Sequence, residues 1–362
     1  MPGGRDGAAP AATNDLRRNL GLHRVLEPAN ALPQQAKRID PSLPGQPEEI
    51  VIDVASLNVD SASFHQFYNA NGKDPARTGD AILSVIRERG KLQNPVTGSG
   101  GMLIGTVRSV GAKVTNPDLK RLKPGDRVAT LVSLTLTPLL ITKLKRVVPE
   151  IERVEVEGTA ILFNSGIAAK LPDDISDGLA LAALDVCGAP AQTARLVKPG
   201  MKVAVVGGGG KSGLFCLYVA KKLAGASGRV VAFEYADAAC ERLSKLSFVD
   251  AVVQGNAQNA VEASEKIIAA LGAQADLVIN VANVGGTEMS CILATRNKGI
   301  VYLFSMATSF SAAALGAEGV GADVQLMIGN GYTEGHAAMT LQLLRESTEL
   351  RTILQSLYEA RP

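Results

Sequence analysis

Between Lys202 and Glu234 a β-forming run, Val203-Ala204-Val205-Val206, enters Gly207-Gly208-Gly209-Gly210-Lys211-Ser212-Gly213, and a helix-forming stretch and a second apolar run follow. Four consecutive glycines lose a great deal of conformational freedom on folding, so such a run belongs where something must approach the backbone more closely than a Cβ allows. Gly208, Gly210 and Gly213 have the G-x-G-x-x-G spacing. Placed after a strand and before the amphipathic stretch Leu214 to Leu223, that spacing predicts backbone N–H groups and a helix's positive end presented to a diphosphate. The sequence Gly210-Lys211-Ser212 imitates the end of a nucleoside-triphosphate loop, but the first glycine of that motif would fall at Val205, so the match fails. A glycine-rich turn with no ligand is the remaining alternative.

Glu234 lies 21 positions after Gly213, where a second strand of the unit ends. An acid there accepts hydrogen bonds from both ribose hydroxyls of NAD and repels the extra phosphate of NADP. Tyr235, Ala236 and Asp237 supply no cation to receive that phosphate. The expected cofactor is therefore NAD, held by Gly208, Gly209, Gly210, Lys211, Ser212, Gly213 and Glu234. A surface glutamate at a strand end is the plainer alternative.

The same alternation continues along the chain. Strands are expected near 203–206, 229–234, 251–254, 276–281 and 299–304, and helices near 212–224, 237–247, 257–271 and 286–296, the pattern of an α/β doubly wound parallel sheet. Upstream, Ile50 to Leu57, Gly105 to Gly111 and the turn Lys123-Pro124-Gly125-Asp126 leading into Arg127-Val128-Ala129 read as strands. The first half is mostly β, and Gly178 to Cys187 reads as a bridging helix. The division expected is 1–185 for a catalytic domain behind a mobile Gly/Ala/Pro-rich leader over 1–14, 186–315 for the nucleotide domain, and 316–362 for a segment returning to the first. That tail ends in a charged helix from His336 to Glu359.

Composition narrows the partners. With 362 residues, a formal charge of +2 and no tryptophan, the chain has ample core but no basic, aromatic-interleaved stretch for nucleic acid. Cys187, Cys216, Cys240 and Cys291 form no C-x-x-C pair and read as reduced thiols. No charged-then-apolar leader and no membrane-length apolar run is visible, so a cytoplasmic protein binding small molecules is expected. His23, His65 and His336 are scattered, and no metal is expected.

Several segments resemble the medium-chain dehydrogenase/reductase superfamily over about residues 50–310. Lys123 to Val128 is similar to its K-x-G-D-R-V turn, and Lys170-Leu171-Pro172-Asp173 to its L-P-D lead into the bridge. Asn58 stands where zinc-dependent members carry a cysteine, and Gly100-Gly101-Met102-Leu103-Ile104-Gly105 resembles G-H-E-x-x-G with Gly101 in place of the metal-binding histidine. The resemblance implies a Rossmann doubly wound sheet plus a β-rich GroES-like catalytic domain. Since neither Asn58 nor Gly101 replaces thiolate or imidazole, it implies a zinc-free member. The runs Val54 to Phe67 and Asn94 to Met102 are similar to an amine-oxidising branch, which implies NAD-dependent oxidative deamination of a small diamino acid. A zinc-free quinone or enone reductase and a non-catalytic nucleotide-binding protein are the rival readings.

Oxidising a carbon that bears nitrogen requires the neutral amine, hence a base in hydrogen-bond reach and a positioned water. Asp60, two positions after Asn58, holds the place of a substrate-facing hydroxyl in the resemblance and is the expected proton acceptor or ammonium anchor. Its alternative role is to cap the helix that begins near Ser61. His65 is a candidate relay to solvent, and Asn58 completes the expected catalytic set. Lys73 or Arg77 is a candidate cation for the substrate carboxylate, with a solvated loop as the alternative. Ala282 and Asn283 at the end of one strand, with Ser305 and Met306 at the end of the next, are expected beside the nicotinamide. Edge-strand pairing makes a homodimer the expected assembly.

Overall fold

The computed structural model describes residues 11–358. The leader expected over 1–14 lies outside them, apart from the backbone of its last four residues, which starts a helix at Ala11–Asn19. The chain divides into two compact units, 1–173 and 174–362. The boundary thus falls twelve residues before the expected 185.

The first unit is built on a six-stranded antiparallel sheet. Its strands are β1 (Glu49–Val59), β2 (Gly101–Val110), β3 (Arg127–Thr130), β4 (Leu139–Val148), β5 (Arg153–Phe163) and β6 (Ala168–Lys170), in the order β4-β5-β1-β2-β3-β6. β1 is central because its β-branched Ile50, Ile52 and Val59, with Leu57, are all buried between β5 and β2. Two helices, α1 (Ser61–Ala70) and α2 (Pro75–Arg89), add Phe64, Phe67, Ile82 and Ile86 to that core. Helix α2 has strong local signals at both ends. The Asp74 carboxylate accepts a hydrogen bond from the Arg77 amide, Pro75 occupies the first turn, and Gly90 closes the helix at a left-handed φ of 70°.

The second unit carries a six-stranded sheet whose pairings are all parallel. Its strands are β7 (Lys202–Val206), β8 (Arg229–Glu234), β9 (Ala251–Gln254), β10 (Ala275–Asn280), β11 (Thr295–Leu303) and β12 (Gln325–Ile328). Their order is β9-β8-β7-β10-β11-β12. This is the doubly wound order in which the chain reverses direction across the sheet between its first and fourth strands, opening a crevice at their carboxyl ends. Val203, Ala204, Val205 and Val206 are all buried, as a continuous apolar run must be in a strand covered on both faces.

Around the sheet lie α3 (Asp177–Leu184), α4 (Gly188–Leu196), α5 (Lys211–Ala224), α6 (Asp237–Leu243), α7 (Ala260–Leu271), α8 (Glu288–Ala294), α9 (Phe310–Gly319), α10 (His336–Glu346) and α11 (Thr348–Tyr358). The five expected strands are present within a few residues, and β12 adds a sixth. α6 stops at Leu243, short of the expected 247.

The tail departs from expectation in two ways. From 316 onward it belongs to the second unit, where β12 pairs with β11 and the last two helices pack against α3, α4 and α5. The single helix expected from His336 also divides. Ser347 is extended, and its hydroxyl accepts a hydrogen bond from the Leu350 amide, capping α11 as a new helix.

Candidate functional site

The glycine loop connects β7 to α5 at the crevice. Gly207 has a φ of 86°, and a Cβ there would sit 2.7 Å from the Ala282 backbone. A Cβ on Gly213 would sit 2.4 Å from the Gly207 carbonyl oxygen, so the helix crosses the loop at a distance that only glycine permits. Gly210, the residue before α5, offers no side-chain cap, which leaves the first helical amides to a ligand. Gly207 was outside the expected set because the G-x-G-x-x-G count starts one residue later.

The Glu234 carboxylate is folded onto this loop. Its Oε2 accepts the Gly209 amide at 2.8 Å, and its Oε1 accepts the amides of Tyr235 at 2.8 Å and Ala236 at 3.3 Å. The cleft beside it has a volume of about 450 Å³ and is lined by Gly207, Gly210, Glu234, Ala282 and Asn283, among others. Among the described residues that line it none is a lysine or arginine. Sequence reasoning missed Asn256, Ala257 and Gln258, which line the cleft from the carboxyl end of β9. The position after a parallel strand was the available signal.

Buried Asn280 shapes the opposite wall. Its side chain donates to Thr287 Oγ1 at 2.8 Å and accepts from the Ala282 amide at 3.2 Å, which holds the turn after β10.

Other expected cofactor residues fare differently. The Lys211 ammonium is bound to Asp185 at 2.6 Å and stands over the Tyr358 ring, so its charge is already matched and only its backbone amide is offered to the loop. Ser212 lies in the first turn of α5. Ser305 is buried, and its hydroxyl accepts the Ala307 amide, while Met306 is 78% exposed. Neither is among the residues lining the cleft.

In the first unit, Asn58, Asp60 and His65 lie at and just beyond the end of β1. Asp60 precedes α1, but its carboxylate does not cap that helix. Oδ2 instead accepts the Gly100 amide at 3.1 Å, and the Asp60 amide donates to the Gly100 carbonyl at 3.2 Å. This reciprocal pair ties the exposed Asp60 to Gly100. The exposed His65 Nε2 is 3.3 Å from Glu152 Oε1, which also accepts the Ser61 hydroxyl at 2.6 Å. Asn58 Oδ1 is buried with no hydrogen-bond partner among the described residues.

Gly101 explains why position 101 is not histidine. Its φ is 120°, and a Cβ would stand 2.1 Å from the Asn58 carbonyl oxygen. No metal-binding side chain fits that backbone. Among the described residues no group of three His, Cys, Asp or Glu side chains has a metal-holding arrangement. The cations expected for a substrate carboxylate are not gathered here: Lys73 is exposed, and Arg77 is exposed and paired with Asp74.

A family model described as the L-erythro-3,5-diaminohexanoate dehydrogenase N-terminal domain matches residues 23–172. A protein of Acetoanaerobium sticklandii named L-erythro-3,5-diaminohexanoate dehydrogenase is 54% identical over 93% of this chain and 98% of its own length. A protein of the same name from Fusobacterium nucleatum subsp. nucleatum is 50% identical over the same shares. Among solved structures, a mycobacterial quinone oxidoreductase aligns with a TM-score of 0.54 at 20% identity, covering 90% of this chain and 91% of that one. A mycobacterial protein complexed with NADPH aligns with a TM-score of 0.53 at 18% identity, covering 87% and 89%. At such identities the likeness is one of fold, and it agrees with the architecture expected from the sequence.

Proposed function

The chain belongs to the L-erythro-3,5-diaminohexanoate dehydrogenase family, and on that premise we propose that it oxidatively deaminates L-erythro-3,5-diaminohexanoate at C3 with NAD. The products are 5-amino-3-oxohexanoate, ammonia and NADH, a step of lysine fermentation. The chain is an oxidoreductase acting on a CH–NH2 group. The observation that carries this reading is the 54% identity extending over 93% of the chain, which spans both units.

The residues at the crevice fit a dinucleotide. The loop amides from Gly208 to Ser212, with Gly213 allowing the helix to come close, would hold the diphosphate, and Glu234 would accept from the ribose hydroxyls. Ala282 and Asn283 would pack beside it. The preference for NAD over its phosphorylated form is supported by the Glu234 carboxylate and by the lack of a cation among the described cleft residues. Bound NAD supplies the acceptor for the hydride that leaves C3.

The chain's own residues manage protons. Asp60, oriented by the Gly100 amide, takes a proton from the substrate ammonium and frees the nitrogen lone pair that drives the hydride out. Water then adds to the resulting iminium carbon, and collapse expels ammonia. In balance, the ammonium substrate, NAD and water give ketone, ammonium, NADH and one proton. His65 with Glu152 offers an exposed route for that proton to solvent. The partly exposed edge strand β12, with Ile328 57% exposed, supports pairing into a homodimer. Free thiols at all four cysteines are in keeping with a reducing cytoplasm.

NADH absorbance on mixing protein, NAD and the diamino acid tests the reaction. Asp60→Asn keeps an oxygen for the Gly100 amide but not the base, so turnover falls by about 10² or more. Retention of turnover within a few-fold removes Asp60 from the mechanism. Enone-dependent oxidation of NADPH in place of amine oxidation selects the reductase reading.

A further inference from the structure

Arg153 opens β5 directly opposite Asn58 on β1, so the two side chains stand on the same face of the sheet. The tight turn before it is latched in place. Glu152, at a φ of 54°, accepts the Val59 amide on its carbonyl and the Ser61 hydroxyl on its carboxylate. The start of β5 is therefore tied to the β1–α1 corner that carries Asp60.

A donor and an acceptor sit together there without meeting. Arg153 Nε and Asn58 Oδ1 are both buried, and neither has a hydrogen-bond partner among the described residues. The neighbouring carboxylates spend their hydrogen bonds elsewhere, Glu152 with His65 and Ser61, Glu155 with Arg146 at 2.7 Å; the Arg153 charge acts on Glu155 without a hydrogen bond from its Nε. A buried, unpaired guanidinium nitrogen costs free energy unless a ligand completes it. Arginine's planar fork suits one ligand class above others, a carboxylate held through two parallel hydrogen bonds.

We propose that Arg153 binds the carboxylate of the diamino acid and that Asn58 Oδ1 accepts an N–H of the adjacent 3-amino group. The inference rests on the reaction proposed above and adds its specificity element. The carboxyl carbon is two bonds from C3, so a clamp on the carboxylate places the reacting carbon and its nitrogen at the end of β1, beside Asp60. The pair reads a β-amino acid and discriminates against amines that lack the acid group.

Steady-state kinetics on 3,5-diaminohexanoate and on its carboxamide test this. The wild-type chain prefers the acid by at least about 30-fold, the loss typical of truncating one partner of a buried charge pair. Arg153→Met raises KM for the acid by a similar factor with a smaller change in kcat and abolishes the preference, whereas Arg153→Lys keeps part of it. Asn58→Leu raises KM for acid and amide alike, since both retain the amine. A purely structural role for Arg153 lowers activity on both substrates equally and leaves their ratio at the wild-type value, which overturns the proposal. If the wild-type chain turns over neither compound, the reaction reading fails, and calorimetry with 3-aminobutanoate still decides the anchor. Binding by wild type that is lost in Arg153→Met supports it; equal binding by both, or none by wild type, refutes it.

Discussion

Glu234→Gln separates the ribose-binding role of this residue from its loop-holding role. The carboxylate has about four acceptor sites, and three are filled by the amides of Gly209, Tyr235 and Ala236. Glutamine keeps one acceptor oxygen, so it can serve either Gly209 or the Tyr235–Ala236 pair, and the other side then faces an NH2 group. That mismatch costs about 1–3 kcal/mol and loosens the loop. At the ribose, hydrogen bonds to a charged acceptor are each worth about 1 kcal/mol more than bonds to a neutral one. With three sites filled, one remains for a ribose hydroxyl, which gives about 1 kcal/mol, or about fivefold in Kd for NAD. Affinity for NADP changes in the opposite sense, because a negative charge facing its phosphate has been removed. Calorimetric titration of both dinucleotides into wild type and variant, with circular dichroism to confirm folding, measures these effects. A folded variant whose Kd for NAD stays within about threefold of wild type, or a wild type that binds NADP as tightly as NAD, refutes the reasoning.

Two further outcomes concern the first unit. Gly101→Ala forces a side chain into a φ of 120° and against the Asn58 carbonyl, a backbone atom that cannot swing aside. A loss of about 3 kcal/mol is expected, read as a lower denaturation midpoint; unchanged stability contradicts the geometry. Burial pushes the Glu49 carboxyl up, but hydrogen bonds from His23, Arg24 and the Gln46 amide overcome that and bring it from 4.5 down to about 2. Because the folded value is the lower one, its contribution is complete above about pH 4.5 and fades as pH falls toward 2. Acid titration of stability is therefore shallower in Glu49→Gln than in wild type, and parallel curves count against the assignment.

The glycine loop, the strands β7 to β11 and the acid at the end of β8 were all legible in the chain, whereas helix α2, which carries Arg77, was not. Each legible feature is a local demand: a φ that only glycine meets, an apolar run of strand length, an acid where such a strand ends. The short edge strand β12, with its half-exposed residues, gives no such periodic signal. The resemblance makes Asp60 the expected proton acceptor, yet only the fold shows its carboxylate turned from the helix start to the Gly100 amide, 40 positions away. Lys211 is expected at the diphosphate from the sequence, and only the fold shows its ammonium paired with Asp185, 26 positions away in the chain.

What the amino-acid order determined was therefore the kind of fold and the place of the dinucleotide loop, because backbone conformation and hydrophobic periodicity act over a few neighbouring residues. What tertiary structure alone decided was which distant groups face one another, above all Arg153 opposite Asn58. That placement depends on strand register, and register is set by the packing of a whole sheet face rather than by any residue within it.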